Sequence, residues 1–258
     1  MHYAADDGEI YAIGLATRED GVLSGVGLAT ATFSTVGADV DFKVLKSDGN
    51  ALKKGDTIAR ITGNARAILA GERVALNFLM HMSGVATHTA RFADLIADTS
   101  ARVTCTRKTL PGLRAIEKYA VRCGGGSNHR YGLDDAILIK DNHIAVCGGV
   151  AKAVERARAY AGHLVKVEVE VDTLDQFREA LTASPDAVLL DNMTNDQLAE
   201  AVAINKADNA GRVALEASGN VAFETIRAIA ETGVDYISTS KITMAAPTLD
   251  VGLDIRIG

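Results

Sequence analysis

From Arg102 onward the chain alternates short apolar runs with amphipathic stretches, and this alternation constrains the fold more than any other feature. The runs are Val103-Thr104-Cys105, Ile137-Leu138-Ile139, Val167-Glu168-Val169, Val188-Leu189-Leu190, Val213-Ala214-Leu215 and Tyr236-Ile237. Between them lie helical patterns over 148–160, 174–182, 195–205 and 222–232. Strand-sized runs repeating every ~20–30 residues, each followed by a helix, are βα units, and successive βα units build a parallel sheet. One helical pattern separates each pair and no GxGxxG opens the first unit, which disfavours a dinucleotide-binding sheet. A parallel α/β barrel is the better reading, and the fold class is α/β.

The first third has another rhythm. Residues 11–15, 40–44 and 58–61 alternate as strands do, and Ser47-Asp48-Gly49-Asn50 and Lys54-Gly55-Asp56 carry turn chemistry. Residues 25–35 suit a short helix over this sheet. A long helix is expected from Ala65 to Met82, with Ile68, Leu69, Leu76, Leu79 and Met80 on its apolar face. Ser83-Gly84 then interrupts it, with Ser83 capping a second helix to about Ala97. The boundary is placed there: a domain over 1–84 and a barrel domain over 85–245, with 246–258 packing back on the first.

The chain has 258 residues and a formal net charge of −6, which argues against nucleic-acid binding by the surface as a whole. Cys105, Cys123 and Cys147 form neither a CxxC pair nor an even framework, which points to a reducing, cytoplasmic setting. No apolar run approaches the roughly 20 residues that span a bilayer, and the opening MHYAADDGEI is not signal-peptide-like. His81 and His88 are expected in ordinary surface or core roles rather than on zinc. Against the acidic background, residues 102–143 hold eight Lys/Arg and four acids. A local basic site of this kind suits a small polyanion.

In a parallel barrel the chemistry gathers where strands finish. Those positions carry Arg107 and Lys108, then Lys140, Glu170, Asp191, Ser218-Gly219 and Thr239-Ser240. Each has a plain structural explanation: Asp191 capping a helix, Glu170 paired with a lysine. Together they read as one rim. The basic stations suit pyrophosphate and carboxylates, for which arginine offers a two-pronged donor. Glu170 and Asp191 suit ribose hydroxyls or a phosphate-bound Mg²⁺. The small residues suit phosphate, since Gly permits close backbone approach. Gly124-Gly125-Gly126 is too loose to be a phosphate cradle by itself; a flexible loop presenting His129-Arg130 is an equal reading. Arg73 reads from its local context as a surface residue.

The segments GERVALNFLMHMSGVAT, TRKTLPGLRAIEKYAV, GGGSNHRYGLDDAILIKDNHI, VEVEVDTLDQ, VLLDNM, LEASGN and GVDYIS resemble the quinolinate phosphoribosyltransferase family. That resemblance implies an N-terminal open α/β sandwich and an incomplete α/β barrel. It also implies a homodimer with shared active sites, and a decarboxylating transfer from phosphoribosyl pyrophosphate to quinolinate, with Mg²⁺, in NAD biosynthesis. By motif, Arg107, His129 and Arg130 would hold the quinolinate carboxylates, with Arg73 supplied by the partner subunit. Lys108 and Lys140 would face the phosphoribosyl donor, Glu170 and Asp191 the ribose and metal, and Ser218, Gly219, Thr239 and Ser240 the 5′-phosphate. Lys140, Glu170 and Asp191 are the expected catalytic residues. A transport-associated relative and a phosphate-ligand-binding protein without turnover are the competing readings; the intact His129-Arg130 and Ile139–His143 segments argue against the first.

Overall fold

The computed structural model describes residues 12–36, 40–209 and 211–256. Tyr11 and the opening MHYAADDGEI, with the readings made on them, lie outside these residues. The chain divides into two compact units, one of residues 1–91, 110–125 and 242–258, the other of 92–109 and 126–241.

The first unit is built on an antiparallel sheet in the order β12-β1-β5-β3, from β1 (Ala12–Thr17), β3 (Val40–Val44), β5 (Thr57–Gly63) and β12 (Val251–Arg256). The chain's last described strand therefore pairs with its first, Leu15 opposite Leu253. Strands β2 (Gly21–Val22) and β4 (Ala51–Leu52) form a separate two-stranded antiparallel sheet. Helix α1 (Val26–Val36) packs Phe33 against Phe42 of β3, ring centroids 5.4 Å apart. Leu15, Leu23, Leu52, Ile58, Ile61, Ile68 and Leu79 close the core.

Helix α2 (Ala65–Asp94) corrects the expected break: it runs uninterrupted through Ser83-Gly84. Ser83 is fully buried, and its hydroxyl donates to the Ser24 carbonyl and accepts the Ser24 N–H at 3.0 Å. It joins segments rather than capping one. Gly84 is a glycine because the chain passes close by: a Cβ there would sit 2.1 Å from the Pro247 carbonyl oxygen. Helix α3 (Arg114–Cys123) lies in the charge-rich stretch for which no helix is expected above. It carries Glu117, fully buried, whose Oε1 meets His81 Nε2 at 3.0 Å and whose Oε2 accepts the Leu110 N–H at 3.2 Å.

The second unit holds a six-stranded parallel sheet in the order β6-β11-β10-β9-β8-β7. Its strands are β6 (Arg102–Thr104), β7 (Ala136–Ile139), β8 (Lys166–Val171), β9 (Ala187–Asp191), β10 (Ala214–Ser218) and β11 (Tyr236–Ser238). The intervening helices are α4 (Asp141–Cys147), α5 (Val150–Tyr160), α6 (Leu174–Thr182), α7 (Asn195–Asn209) and α8 (Ile226–Glu231), followed by α9 (Lys241–Met244). The barrel is not closed: β6 and β7 are edges. Each strand splits its residues by parity, as a pleat requires. Val167, Val169, Val188, Leu190, Leu215, Ala217 and Ile237 are buried and, by that parity, share the helix-facing side with Phe177, Leu198 and Ile226. The opposite parity carries Leu138, Glu168, Glu170, Leu189, Glu216, Ser218 and Ser238.

Candidate active site

That inner face and the strand ends above it enclose a cavity of about 340 Å³ within the second unit. Thr106, Arg107, Lys108, His129, Arg130, Leu138, Lys140, Glu170, Leu189, Glu216, Ser218 and Ser238 line it. Seven residues expected from strand ends and motifs are therefore brought together: Arg107, Lys108, His129, Arg130, Lys140, Glu170 and Ser218.

The loop carrying His129-Arg130 is held at several points. Ser127 pairs with β6, its N–H on the Val103 carbonyl at 2.8 Å and its carbonyl accepting the Cys105 N–H at 3.2 Å. The Cys105 thiol, fully buried just past the end of β6, donates to Asn128 Oδ1 at 3.2 Å. Asp135 accepts the Tyr131 and Gly132 N–H groups at 2.7 and 2.9 Å. Arg130 Nη1 donates to the Ala136 carbonyl at 3.0 Å, while its buried Nε has no partner. Burial, and then the neighbouring Arg107 charge, hold the Arg130 guanidinium below its ordinary pKa. Two guanidiniums set against each other with a buried donor unspent make a receptor for an anion. Gly124 closes α3 against α2, where a Cβ would lie 2.2 Å from the Ala86 carbonyl, and Gly125 takes a φ of 81°.

Lys140 forms an ion pair with Glu170 across β7 and β8. Its backbone N–H donates to His143 Nδ1 at 2.9 Å, and its carbonyl accepts the His143 and Ile144 N–H groups, which explains the IKDNH run as a turn fixing the lysine at the strand end. Asp191 is the register partner of Ser218. It is not the cap of α7: Thr194 Oγ1 accepts the Gln197 N–H there at 3.3 Å. Asp191 instead accepts from Asn192 Nδ2 at 2.7 Å. Asn192 and Gly219 both take positive φ, 54° and 95°, and a Cβ on Gly219 would fall 2.1 Å from Asn192 Oδ1. The close approach that Gly219 permits is thus to its own neighbour loop. Asp191, Gly219, Thr239 and Ser240 are outside the lining of the cavity. Thr239 is buried with its N–H on the Thr104 carbonyl at 3.1 Å and its hydroxyl accepting the Lys241 N–H at 3.2 Å. Arg73 is exposed on α2, in the first unit.

Strand residues inside two apolar runs add two acids that strand ends and motifs do not point to: Glu216, which lines the cavity, and Glu168, which meets His129 beside it. His129 Nδ1 accepts the Arg130 N–H at 2.8 Å, so the ring proton sits on Nε2, 2.8 Å from Glu168 Oε2 and 3.9 Å from Glu216 Oε1. Glu216 is 6% exposed and its Oε1 has no hydrogen-bond partner. Burial first, then the Glu168 carboxylate, push the Glu216 acid up to about 7, against the opposing pull of His129 and the Ser238 hydroxyl. The signal for both was present: an acid inside an apolar run, two residues before a rim residue, must share its face.

A parallel sheet whose strand ends converge guanidinium, ammonium and carboxylate groups on one ligand-sized cavity defines an α/β-barrel enzyme acting on small anions. The family described as quinolinate phosphoribosyl transferase, C-terminal domain, matches residues 85–254, and its N-terminal domain matches residues 4–83. The probable nicotinate-nucleotide pyrophosphorylase [carboxylating] of Bacillus subtilis is 41% identical over 243 residues, covering 94% of this chain and 83% of that protein. The Mycobacterium leprae nicotinate-nucleotide pyrophosphorylase [carboxylating] is 43% identical over 244 residues, 93% and 85% of the two chains. The solved nicotinate-nucleotide pyrophosphorylase of Francisella tularensis superposes with a TM-score of 0.93 at 41% identity, over 98% of this chain and 88% of that one. The chain belongs to the quinolinate phosphoribosyltransferase family.

Proposed function

We propose that the protein transfers the phosphoribosyl group of phosphoribosyl pyrophosphate to quinolinate with loss of CO₂, giving nicotinate mononucleotide and pyrophosphate in de novo NAD biosynthesis. The observation that carries this reading is the pairing of Arg107 and Arg130 beside His129 in a cavity whose other wall is the Lys140–Glu170 ion pair. A dicarboxylate satisfies the first group and a phosphorylated sugar the second.

In this reading Arg107, His129 and Arg130 hold the quinolinate carboxylates, and the partner subunit's Arg73 completes their neutralisation in a homodimer. Lys108 and Lys140 face the phosphoribosyl donor. Ser218 and Gly219, with Thr239 and Ser240, take the 5′-phosphate, and Glu170 and Asp191 take the ribose hydroxyls. Leu138 and Leu189 offer apolar walls to a planar ring. The pyridine nitrogen attacks the anomeric carbon as pyrophosphate leaves, through a transition state with oxocarbenium character. The chain supplies orientation and fixed charges rather than a nucleophile, and those are the larger contributions to such a transfer. Glu170, freed from or shared with Lys140, faces the growing positive charge on the sugar. The ring nitrogen, once quaternised, stabilises the carbanion left at C2 when CO₂ departs.

The donor set suits Mg²⁺ carried in on substrate: Glu170 and Asp191 are single carboxylates on neighbouring strands, and Mg²⁺ takes few carboxylates plus phosphate oxygens. Among the described residues the trio of ligand-type groups within 4.8 Å of one another is His129, Glu168 and Glu216, in which His129 is hydrogen-bonded to Glu168 and offers an imidazole, a poor donor for Mg²⁺. Glu170 and Asp191 would hold Mg²⁺, and the bound ion would supply positive charge to offset that of the leaving pyrophosphate. Among the described residues no helix is long and apolar enough to cross a membrane, and a cytoplasmic site of action accords with three cysteines held as thiols rather than in a disulfide. The test is direct: incubation with quinolinate, phosphoribosyl pyrophosphate and Mg²⁺ yields nicotinate mononucleotide and CO₂ in equal amounts. Quinolinate binding without product would instead favour a binding protein.

A further inference from the structure

Glu216 has no part in the transfer as derived above, yet it is the most deeply buried acid on the floor of the cavity. The groups around it are mixed in sign. Glu168 and Glu170 on β8 are acidic; His129 and Arg130 from the loop before β7, Arg107 and Lys108 after β6, and Lys140 after β7 are basic or titratable. The His129 Nε2–H is directed at Glu168, 2.8 Å away, and Glu216 Oε1 lies 3.9 Å from the same nitrogen, beyond hydrogen-bond reach. Glu168 therefore has a donor and Glu216 Oε1 has none. An ionised Glu216 would place a second carboxylate under a site that must accept two more from its ligand. Carboxylates within 4.8 Å of each other, one of them buried, do not all stay ionised. A carboxylic acid, by contrast, gives the unspent oxygen a proton to donate.

We propose that Glu216 is a specificity-determining residue that binds quinolinate as the neutral acid, donating its O–H to a substrate carboxylate. The inference rests on the phosphoribosyltransferase reading and deepens it: the dicarboxylate enters with uptake of one proton. The acid's upward displacement to about 7 puts that proton within reach at neutral pH. A carboxylate ligand stabilises the neutral form further, so the requirement is felt as pH rises above the value for the empty site.

The experiment is calorimetric titration of quinolinate into wild type, Glu216→Gln and Glu216→Ala between about pH 6 and about pH 8.5, in two buffers of different ionisation heat. Wild type is expected to lose affinity toward tenfold per pH unit above about pH 7, with proton uptake on binding rising from near zero at about pH 6 to close to one at about pH 8.5. Glu216→Gln keeps a neutral donor, so it should bind within a few-fold of the low-pH wild type, with the slope and the proton uptake gone. Glu216→Ala should bind weakly at every pH. A Gln variant that keeps the wild-type slope would move the proton to His129 and overturn the proposal. Wild type binding quinolinate with no proton uptake at about pH 8.5, where the free acid is ionised, would overturn it without any variant. Wild type that turns over no quinolinate and binds none at any pH would sink the underlying reading, a result distinct from both.

Discussion

Arg130 shows how one side chain can serve the fold and the ligand at once. Its Nη1 holds the Ala136 carbonyl, and its Nε is kept buried and unsatisfied. Arg130→Ala should weaken quinolinate binding by about 1.5–3 kcal/mol, the worth of a charge-assisted hydrogen bond. Titration of the ligand measures it, and a melting curve separates any loss of the Ala136 contact; unchanged affinity would remove Arg130 from the site. Asp191→Ala should act differently. Its carboxylate is not spent on capping α7, so its loss is expected to raise KM for the phosphoribosyl donor and leave quinolinate affinity intact. Wild-type kinetics with both substrates would return Asp191 to a structural role on its strand end. The basic residues of the site were legible in the sequence because charge just past an apolar run is conspicuous. Glu168 and Glu216 were not, since an acid within a strand run reads as an exposed face. Only the inward parity shared with Glu170 and Ser218 gives them away.

The parallel strands and most of the helices on them follow from hydrophobic periodicity, which is a local property and survives in the chain alone. What failed were places where a distant segment decides. Helix α2 passes through Ser83-Gly84 although serine followed by glycine is a local signal for an end, because Ser24 engages the hydroxyl and Pro247 leaves no room for a Cβ. Helix α3 was hidden by its charges: Glu117 and Lys118 are both fully buried, and the Glu117 pairing with His81 is visible only across 36 residues. Two glycines in helices turn this into a prediction. A methyl added at Gly27 of α1 would meet nothing within 4 Å, whereas one at Gly84 would meet backbone at 2.1 Å. Gly27→Ala should raise stability by a few tenths to about 1 kcal/mol, through helix propensity and a less flexible unfolded chain. Gly84→Ala should lower it by more than that, because the obstacle is main chain. Denaturant midpoints for the pair check both, and equal shifts would show that propensity alone governs the two positions.

For the molecule as a whole, the carboxyl groups pull stability in opposite directions with pH. Burial raises Asp186, but the Lys166 ammonium, the Val167 N–H and Arg158 outweigh it and bring its pKa below the usual carboxylate range; Asp98 is lowered by Arg227, and Asp20 by Lys53. Groups lowered in the native state contribute stability above their unfolded pKa and lose it as pH falls through the folded one, so these pairs weaken the protein on the acid side. Glu216 does the reverse. Its native pKa of about 7 stands above the ordinary 4.5, so between those values the native state binds more protons than the unfolded chain, and the unfolding free energy falls as pH rises. The slope approaches about 1.4 kcal/mol per pH unit at most, and it ends once both states are ionised. Above that window the buried charge is a standing cost, retained at the floor of the cavity where the proposed ligand needs a proton. Glu216→Gln removes the titration and leaves a buried amide of fixed cost. The melting temperature of the Gln variant relative to wild type should therefore climb from about pH 4.5 to about pH 7 and then stay level. A difference between the two proteins that does not change across that range would mean Glu216 ionises in the folded chain as it does in water, and the acid would then have no special standing at the site.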